Sequence, residues 1–338
     1  MDELKSRLTN ADPFESWWPI IVAIIVGVAM TVRNFMGGQN SPSTNHINGQ
    51  TVIITGGTCS GIGFEITKEL CARGAHVIVG AKDMKKAQDV IELVKKQQPS
   101  ACVEIRYLDL RSFDCVKRFA KSVTKDFEKV DVLINNAGII FNKYDKTVDR
   151  FESHLQVNYL AHFLLSSLLL PLLKNAVNGR IINASAHAYT SGKIDIDDPL
   201  NTGQWAPAYH QRDAFAHSKL CVLLASRHLA RELKDTNVTV NVYTPGLVRG
   251  TGHLRNSPIM NAMCAKVITY PWMWLLMKSA AQGAQTAIYL ATEPTLKTVS
   301  GDYFNDCEKA EVNKDLVDDN VAAVLFRRTL SALKLDSF

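Results

Sequence analysis

From Gly49 onward, short apolar runs rich in β-branched residues alternate with longer stretches whose apolar positions recur every three or four residues. The runs "TVIIT" (51–55), "HVIVG" (76–80), "VEIRYLDL" (103–110), "VDVLINN" (130–136), "RIINA" (180–184) and "VTVNVYT" (238–244) predict strands. The stretches between them predict helices. The first ends at Arg73, where Gly74 stops it, and the second covers Met84 to Gln98 with Asp83 as N-cap. Further helices follow Ser112 and cover Phe151–Lys174 and Asp213–Lys234, and Pro245-Gly246 then breaks the chain. Alternation at this spacing predicts an α/β fold, a doubly wound parallel sheet with helices on both faces. No internal repeat or low-complexity tract interrupts it.

The N-terminus follows a different pattern. "WWPIIVAIIVGVAMTV" (17–32) is sixteen residues without a charge, edged by Trp17 and Trp18 on one side and Arg33 on the other. A transmembrane helix, a cleaved signal peptide and a buried soluble helix are the three readings. The anchor is favoured, because the run is just long enough for a thin bilayer and carries aromatic residues at one edge. The cleavage-site candidate, Val26-Gly27-Val28-Ala29, is poor. Lys5 and Arg7 on one flank balance Arg33 on the other, so charge does not set orientation. Four parts are expected: a tail and anchor over 1–33, a Gly/Ser/Asn/Pro-rich linker over 34–48, a single α/β domain over 49–310, and a helical tail over 311–338.

Composition adds little that is unusual. The 338 residues are 46% hydrophobic and 21% charged, which suits a large core. The net charge of +5 comes without a basic run, which argues against nucleic acid as a partner. The seven cysteines are odd in number and form no C-x-x-C pair, so free thiols in a reducing compartment are expected. No metal site is expected, because the nine histidines show no ligand spacing.

Chemistry enters with "TGGTCSGIG" (55–63), which lies directly between the first strand and the first helix. Glycines there let the backbone approach a pyrophosphate that faces the helix N-terminus. This string is followed in order by "NNAG" (135–138), "HLQVN" ending at Asn158, and "TPG" (244–246). The set resembles the short-chain dehydrogenase/reductase family. "RGAHVIVGAKD" (73–83), "INNAGII" (134–140), "HSKL" (217–220), "AAQGAQT" (280–286) and "SGDYFNDC" (300–307) make it most similar to the retinol-dehydrogenase-like branch.

The resemblance implies a Rossmann-type domain holding a dinucleotide at Thr55, Gly56, Gly57, Ser60, Gly61, Ile62, Gly63, Lys82, Asp109, Asn136, Ala137, Gly138, Lys219, Pro245 and Gly246. One residue more than the family pattern stands between "TG" and "GIG"; the alternative alignment starts the motif at Gly57. Lys82 occupies the position where the family carries arginine, which favours NADP(H) over NAD(H). In the family a tyrosine exchanges the proton, a lysine four residues on tunes it, a serine orients the substrate oxygen and an asparagine supports a water relay. Asn158 and Lys219 match the asparagine and the lysine. Phe215 falls on the tyrosine and Ala186 on the serine, with Ser185 one residue out of register. Tyr209 is the candidate substitute proton carrier.

The family's substrate lid corresponds to 247–281, where "VITYPWMWLLM" (267–277) is apolar and aromatic. It suits an interfacial or pocket-lining helix, while a core or dimer-contact helix is the plain reading. A hydrophobic ligand is expected. The favoured reading is a membrane-anchored, NADP(H)-binding protein, a pseudoenzyme whose oxidoreductase activity is lost or strongly reduced. It would reside in the endoplasmic reticulum facing the cytosol, with a homodimer compatible. The alternative is an active NADP-dependent oxidoreductase on retinoid, steroid or other lipid carbonyls or alcohols. A scaffold that binds no nucleotide is the second alternative.

Overall fold

A computed structural model describes residues 17–57, 61–202, 209–249 and 271–338. Eight strands form one sheet: β1 (Thr51–Thr55), β2 (His76–Ala81), β3 (Cys102–Tyr107), β4 (Val132–Asn135), β5 (Gly179–Ala184), β6 (Val238–Thr244), β7 (Tyr303–Asn305) and β8 (Glu308–Lys309). Their order is β3-β2-β1-β4-β5-β6-β7-β8. All neighbours are parallel except the β7–β8 pair. The order reverses between β1 and β4, where the crevice of such a sheet takes its ligand. The two strands absent from the sequence reading, β7 and β8, are only three and two residues long, too short to show a period.

The helices are α1 (Trp18–Gly37), α2 (Ile62–Ala72), α3 (Met84–Gln97), α4 (Phe113–Asp126), α5 (Ser153–Lys174), α6 (Gln211–Glu232), α7 (Ala280–Thr292) and α8 (Asp319–Leu333). Asp83 caps α3 by accepting from the Lys86 amide, and Ser112 caps α4 through the Cys115 amide. Within α5, residues Gln156–Leu160 form a π-helical turn, a distortion frequent at functional sites.

The central strands are buried on both faces, which explains their continuous apolar runs. Ile53, Ile78, Leu133 and Ile181 face one layer with Leu160 and Leu164 of α5 and Leu223 of α6. Val52, Ile54, Val77 and Val79 face the other with Ile66 and Leu70 of α2 and Ala284 and Ile288 of α7. Strand alternation splits consecutive residues between two cores.

Helix α1 is 20 residues, about 30 Å at 1.5 Å per residue. Ile20, Ile21, Ile24, Ile25 and Val28 are exposed along it, whereas the similarly apolar α5 is a core helix. The segment read as a linker is bound to the domain. Gln39 donates to Glu308 (2.8 Å), the Ser41 amide to Gln285 (2.9 Å) and Arg73 to the Ser43 carbonyl (2.7 Å). Ser43 and Ile47 are buried. Short polar residues suit a mobile linker, but here they leave the backbone open to side chains of the domain.

Candidate active site

The crevice lies over the C-terminal ends of β1, β4, β5 and β6. Gly56 follows β1 with φ +79° and donates to the Gly80 carbonyl (2.9 Å). A Cβ there would stand 2.9 Å from that of Ala137. Gly63 in the first turn of α2 is equally constrained, since a Cβ would meet the Gly56 carbonyl oxygen at 2.5 Å. Gly61, the N-cap of α2, supplies no side-chain cap, so among the described residues no side chain caps the helix start next to Ile62. That arrangement suits a phosphate. Ser60 and the neighbouring extra residue lie outside the described residues.

Thr55 organises the floor. Its Oγ1 accepts from the amides of Asn136 and Ala137, both at 3.0 Å, and lies 2.9 Å from His162 Nε2. Burial, with Lys219 nearby, lowers the His162 pKa to about 4. The neutral ring therefore accepts the Thr55 hydroxyl proton at Nε2 and donates from Nδ1 to the Asn158 carbonyl (3.2 Å). His162 was missed from sequence; the signal was its position four residues after Asn158 on one helix face.

The π-turn presents Asn158, which is buried. Its Oδ1 accepts from the Ile139 amide (2.8 Å), and its Nδ2 donates to the Ile139 carbonyl (3.1 Å) and to Ser218 Oγ (3.0 Å). Lys219 on α6 is 5% exposed and donates to the Ala184 carbonyl (2.8 Å). Burial lowers its pKa to about 8. The two side chains converge beside Gly138: a Cβ there would stand 3.2 Å from Asn158 Oδ1 and 3.6 Å from Lys219 Nζ.

Phe215 is one turn before Lys219, 8% exposed, with its ring centre 5.8 Å from Nζ. Ala186 is extended and half-buried just past β5. Ser185 is buried and donates to the Lys219 carbonyl (3.0 Å), so its hydroxyl serves the α6 backbone. Adjacent extended residues face opposite ways, as the register argument required.

Tyr209 stands in a cluster that sequence reasoning did not anticipate. Its hydroxyl donates to Glu152 Oε1 (2.9 Å), 3.0 Å from His154 Nδ1, while His154 Nδ1 is 2.8 Å from the same carboxylate oxygen. Burial and the Glu152 carboxylate push the Tyr209 pKa up. Burial works against the Glu152 charge, yet the His154 hydrogen bond leads the contacts that hold its pKa below the usual range. The His154 ring meets the Phe215 ring edge-on at 6.4 Å. Nothing in the spacing of residues 152, 154 and 209 announced this cluster.

At the far end, Lys82 pairs with Asp109 (2.9 Å), and Asp109 also accepts from the Arg111 amide (3.0 Å). Lys82 is otherwise exposed. Pro245 and Gly246 close the crevice after β6, where Lys278 packs against Gly246. Of the expected lid, 250–270 lies outside the described residues, while 271–276 is helical.

The family profile described as short chain dehydrogenase matches residues 50–195. Retinol dehydrogenase 13 from Homo sapiens is 35% identical over 314 residues, covering 93% of each chain. Retinol dehydrogenase 14 from Homo sapiens is 36% identical over 328 residues, covering 91% of this chain and 94% of that one. Among solved structures, an uncharacterised protein from Mycobacterium Paratuberculosis matches with a TM-score of 0.67 and 28% identity, over 88% of this chain and 98% of that one. An NAD(P)-dependent gluconate 5-dehydrogenase from Beutenbergia cavernae, with bound NADP, has the same fold (TM-score 0.60, 22% identity, 77% and 96% coverage).

Proposed function

The chain belongs to the short-chain dehydrogenase/reductase family, in its retinol-dehydrogenase-like branch, and from that premise we propose an NADP(H)-dependent oxidoreductase of apolar carbonyls or alcohols, slowed by its missing hydroxyls. The observation that carries the reading is the convergence of Asn158 and Lys219 on Gly138, beside the glycines that open α2. What supports the reading is that Asn158, Lys219 and the described glycines keep their places while Phe215 and Ala186 stand at the tyrosine and serine positions.

The roles follow from placement. Gly56, Gly57, Gly61, Ile62 and Gly63 hold the pyrophosphate, and Asn136, Ala137 and Gly138 form the wall along the dinucleotide. Asp109 receives the adenine end. Lys82 is the cation for a 2′-phosphate, which favours NADP(H), and it exchanges part of its bond to Asp109 for that contact. Lys219 offers its ammonium to the ribose, and Pro245 and Gly246 cover the nicotinamide end. The bound cofactor supplies the hydride.

The protein must still manage a proton, and neither Phe215 nor Ala186 has one to exchange. General acid–base catalysis contributes about 10²–10⁴-fold, so turnover is expected to be lower by that order. Phe215 and Ala186 also favour a second reading, a protein that binds nucleotide and ligand and hardly turns over.

Helix α1 would anchor the chain in a membrane. The free thiols, Cys71, Cys102, Cys115, Cys221 and Cys307 among the described residues, suit a cytosolic face, and the short span suits the endoplasmic reticulum. The test is titration of the full chain in detergent with NADPH, followed by an assay with retinal. Binding with measurable turnover supports the oxidoreductase. Binding without turnover selects the second reading, and absent binding leaves a scaffold.

A further inference from the structure

The base of α1 is clasped to the helical residues 271–276. Arg33 Nη1 donates to the carbonyls of Trp274 (2.7 Å) and Met277 (2.6 Å), and its Nη2 to Gln282 Oε1 (3.1 Å). The Arg33 guanidinium also lies 5.3 Å from the centre of the Trp274 ring. Arg249 reaches the same two carbonyls at 2.8 and 3.3 Å. Two cations thus satisfy carbonyls that the end of a helix leaves without partners.

This clasp fixes a depth. Arg33 is the first charged residue after the apolar run of α1, and a cation there marks the polar boundary of a bilayer. Whatever Arg33 holds lies at that boundary. It holds the backbone of a helix whose Trp272, Trp274 and Leu276 are 61%, 39% and 41% exposed. Tryptophan is enriched at the headgroup level, where its ring is apolar and its N–H is wet.

The same clasp reaches the crevice within a few residues. Lys278 donates its amide to the Leu247 carbonyl (2.9 Å), and the Arg249 amide donates to the Lys278 carbonyl (2.9 Å). That ties the 271–276 helix to the chain directly after Pro245-Gly246. Ser279 and Gln282 form a capping box at the start of α7, and Gln282 is the residue that also receives Arg33.

We infer that the 271–276 helix is a membrane-interface element, held in the headgroup layer of a lipid bilayer by Arg33, with Trp272 and Leu276, one turn apart, presented to the acyl boundary and Trp274 stacked against Arg33. The occupant of this exposed apolar side is the lipid surface, because Arg33, at the end of the apolar run of α1, is bonded to this same helix. An apolar ligand then passes between bilayer and crevice beside this helix without crossing water. The inference rests on the anchoring proposed above.

The test uses the full chain carrying Trp17→Phe, Trp18→Phe and Trp205→Phe, reconstituted into phosphatidylcholine vesicles with a fluorescence quencher either near the headgroup or deep in the acyl chain. Alkaline carbonate extraction reports separately whether α1 is inserted. The expected result is an inserted chain whose tryptophan emission is quenched more by the shallow label than by the deep one. Adding Trp272→Phe and Trp274→Phe should abolish most of that difference. Arg33→Gln should reduce it while the chain stays inserted. An inserted chain whose shallow quenching is unchanged without Trp272 and Trp274 overturns the inference and leaves the anchor standing. Unchanged quenching in Arg33→Gln overturns the clasp. Release by carbonate overturns the anchoring and the inference with it.

Discussion

Restoring the two hydroxyls is the most informative perturbation. In Phe215→Tyr the new phenol would lie about as far from Lys219 as the present ring, whose centre is 5.8 Å from Nζ. At an effective dielectric constant of about 20, unit charges that far apart interact by about 3 kcal/mol, or roughly two pKa units. That attraction lowers the phenol toward working pH, where an acid–base group is most effective, and burial works against it. Ala186→Ser adds the second hydroxyl on a half-buried, extended residue. The double variant should raise retinal reduction by about 10²–10⁴-fold. The assay is NADPH consumption with retinal in detergent, alongside NADPH affinity and denaturant unfolding to exclude a misfolded variant. The new hydroxyl at 215 costs about 1–3 kcal/mol of stability if it finds no partner. A double variant that binds NADPH normally, unfolds normally and is no faster than the native chain would refute the reasoning.

Three other perturbations separate the roles assigned above. Tyr209→Phe removes a hydroxyl bonded to the buried Glu152 and should cost about 1–3 kcal/mol in denaturant unfolding with little change in turnover; a turnover loss of about 10²-fold at unchanged stability would instead make Tyr209 the proton carrier. Gly63→Ala forces a Cβ to within 2.5 Å of a backbone carbonyl, so NADPH affinity should fall about 5- to 150-fold, as backbone shifts of this kind cost about 1–3 kcal/mol. Lys219 has a pKa of about 8 when folded against its ordinary 10.5, so between those values the unfolded chain binds more protons and stability rises with pH. NADPH affinity should move the other way, weakening above about pH 8 as the ammonium is lost, and Lys219→Met should flatten both profiles.

Much of this was legible in the residues because it depends on short sequence separations. Strand runs, the helix cap at Asp83, the helix start after Ser112, the glycine turn after Thr55 and the four-residue spacing of Phe215 and Lys219 are local patterns, set by backbone sterics and side-chain period. The displacement of Ser185 from Ala186 followed from strand alternation alone. The tertiary structure decided the contacts between residues far apart in the chain. Thr55 meets His162, Glu152 gathers His154 and Tyr209, and Arg33 reaches Trp274 across 241 positions. Polar residues at such separations carry no periodic signal. Each is placed by the packing of the elements beneath it, and buried donors and acceptors must then find whichever partners that packing brings within reach.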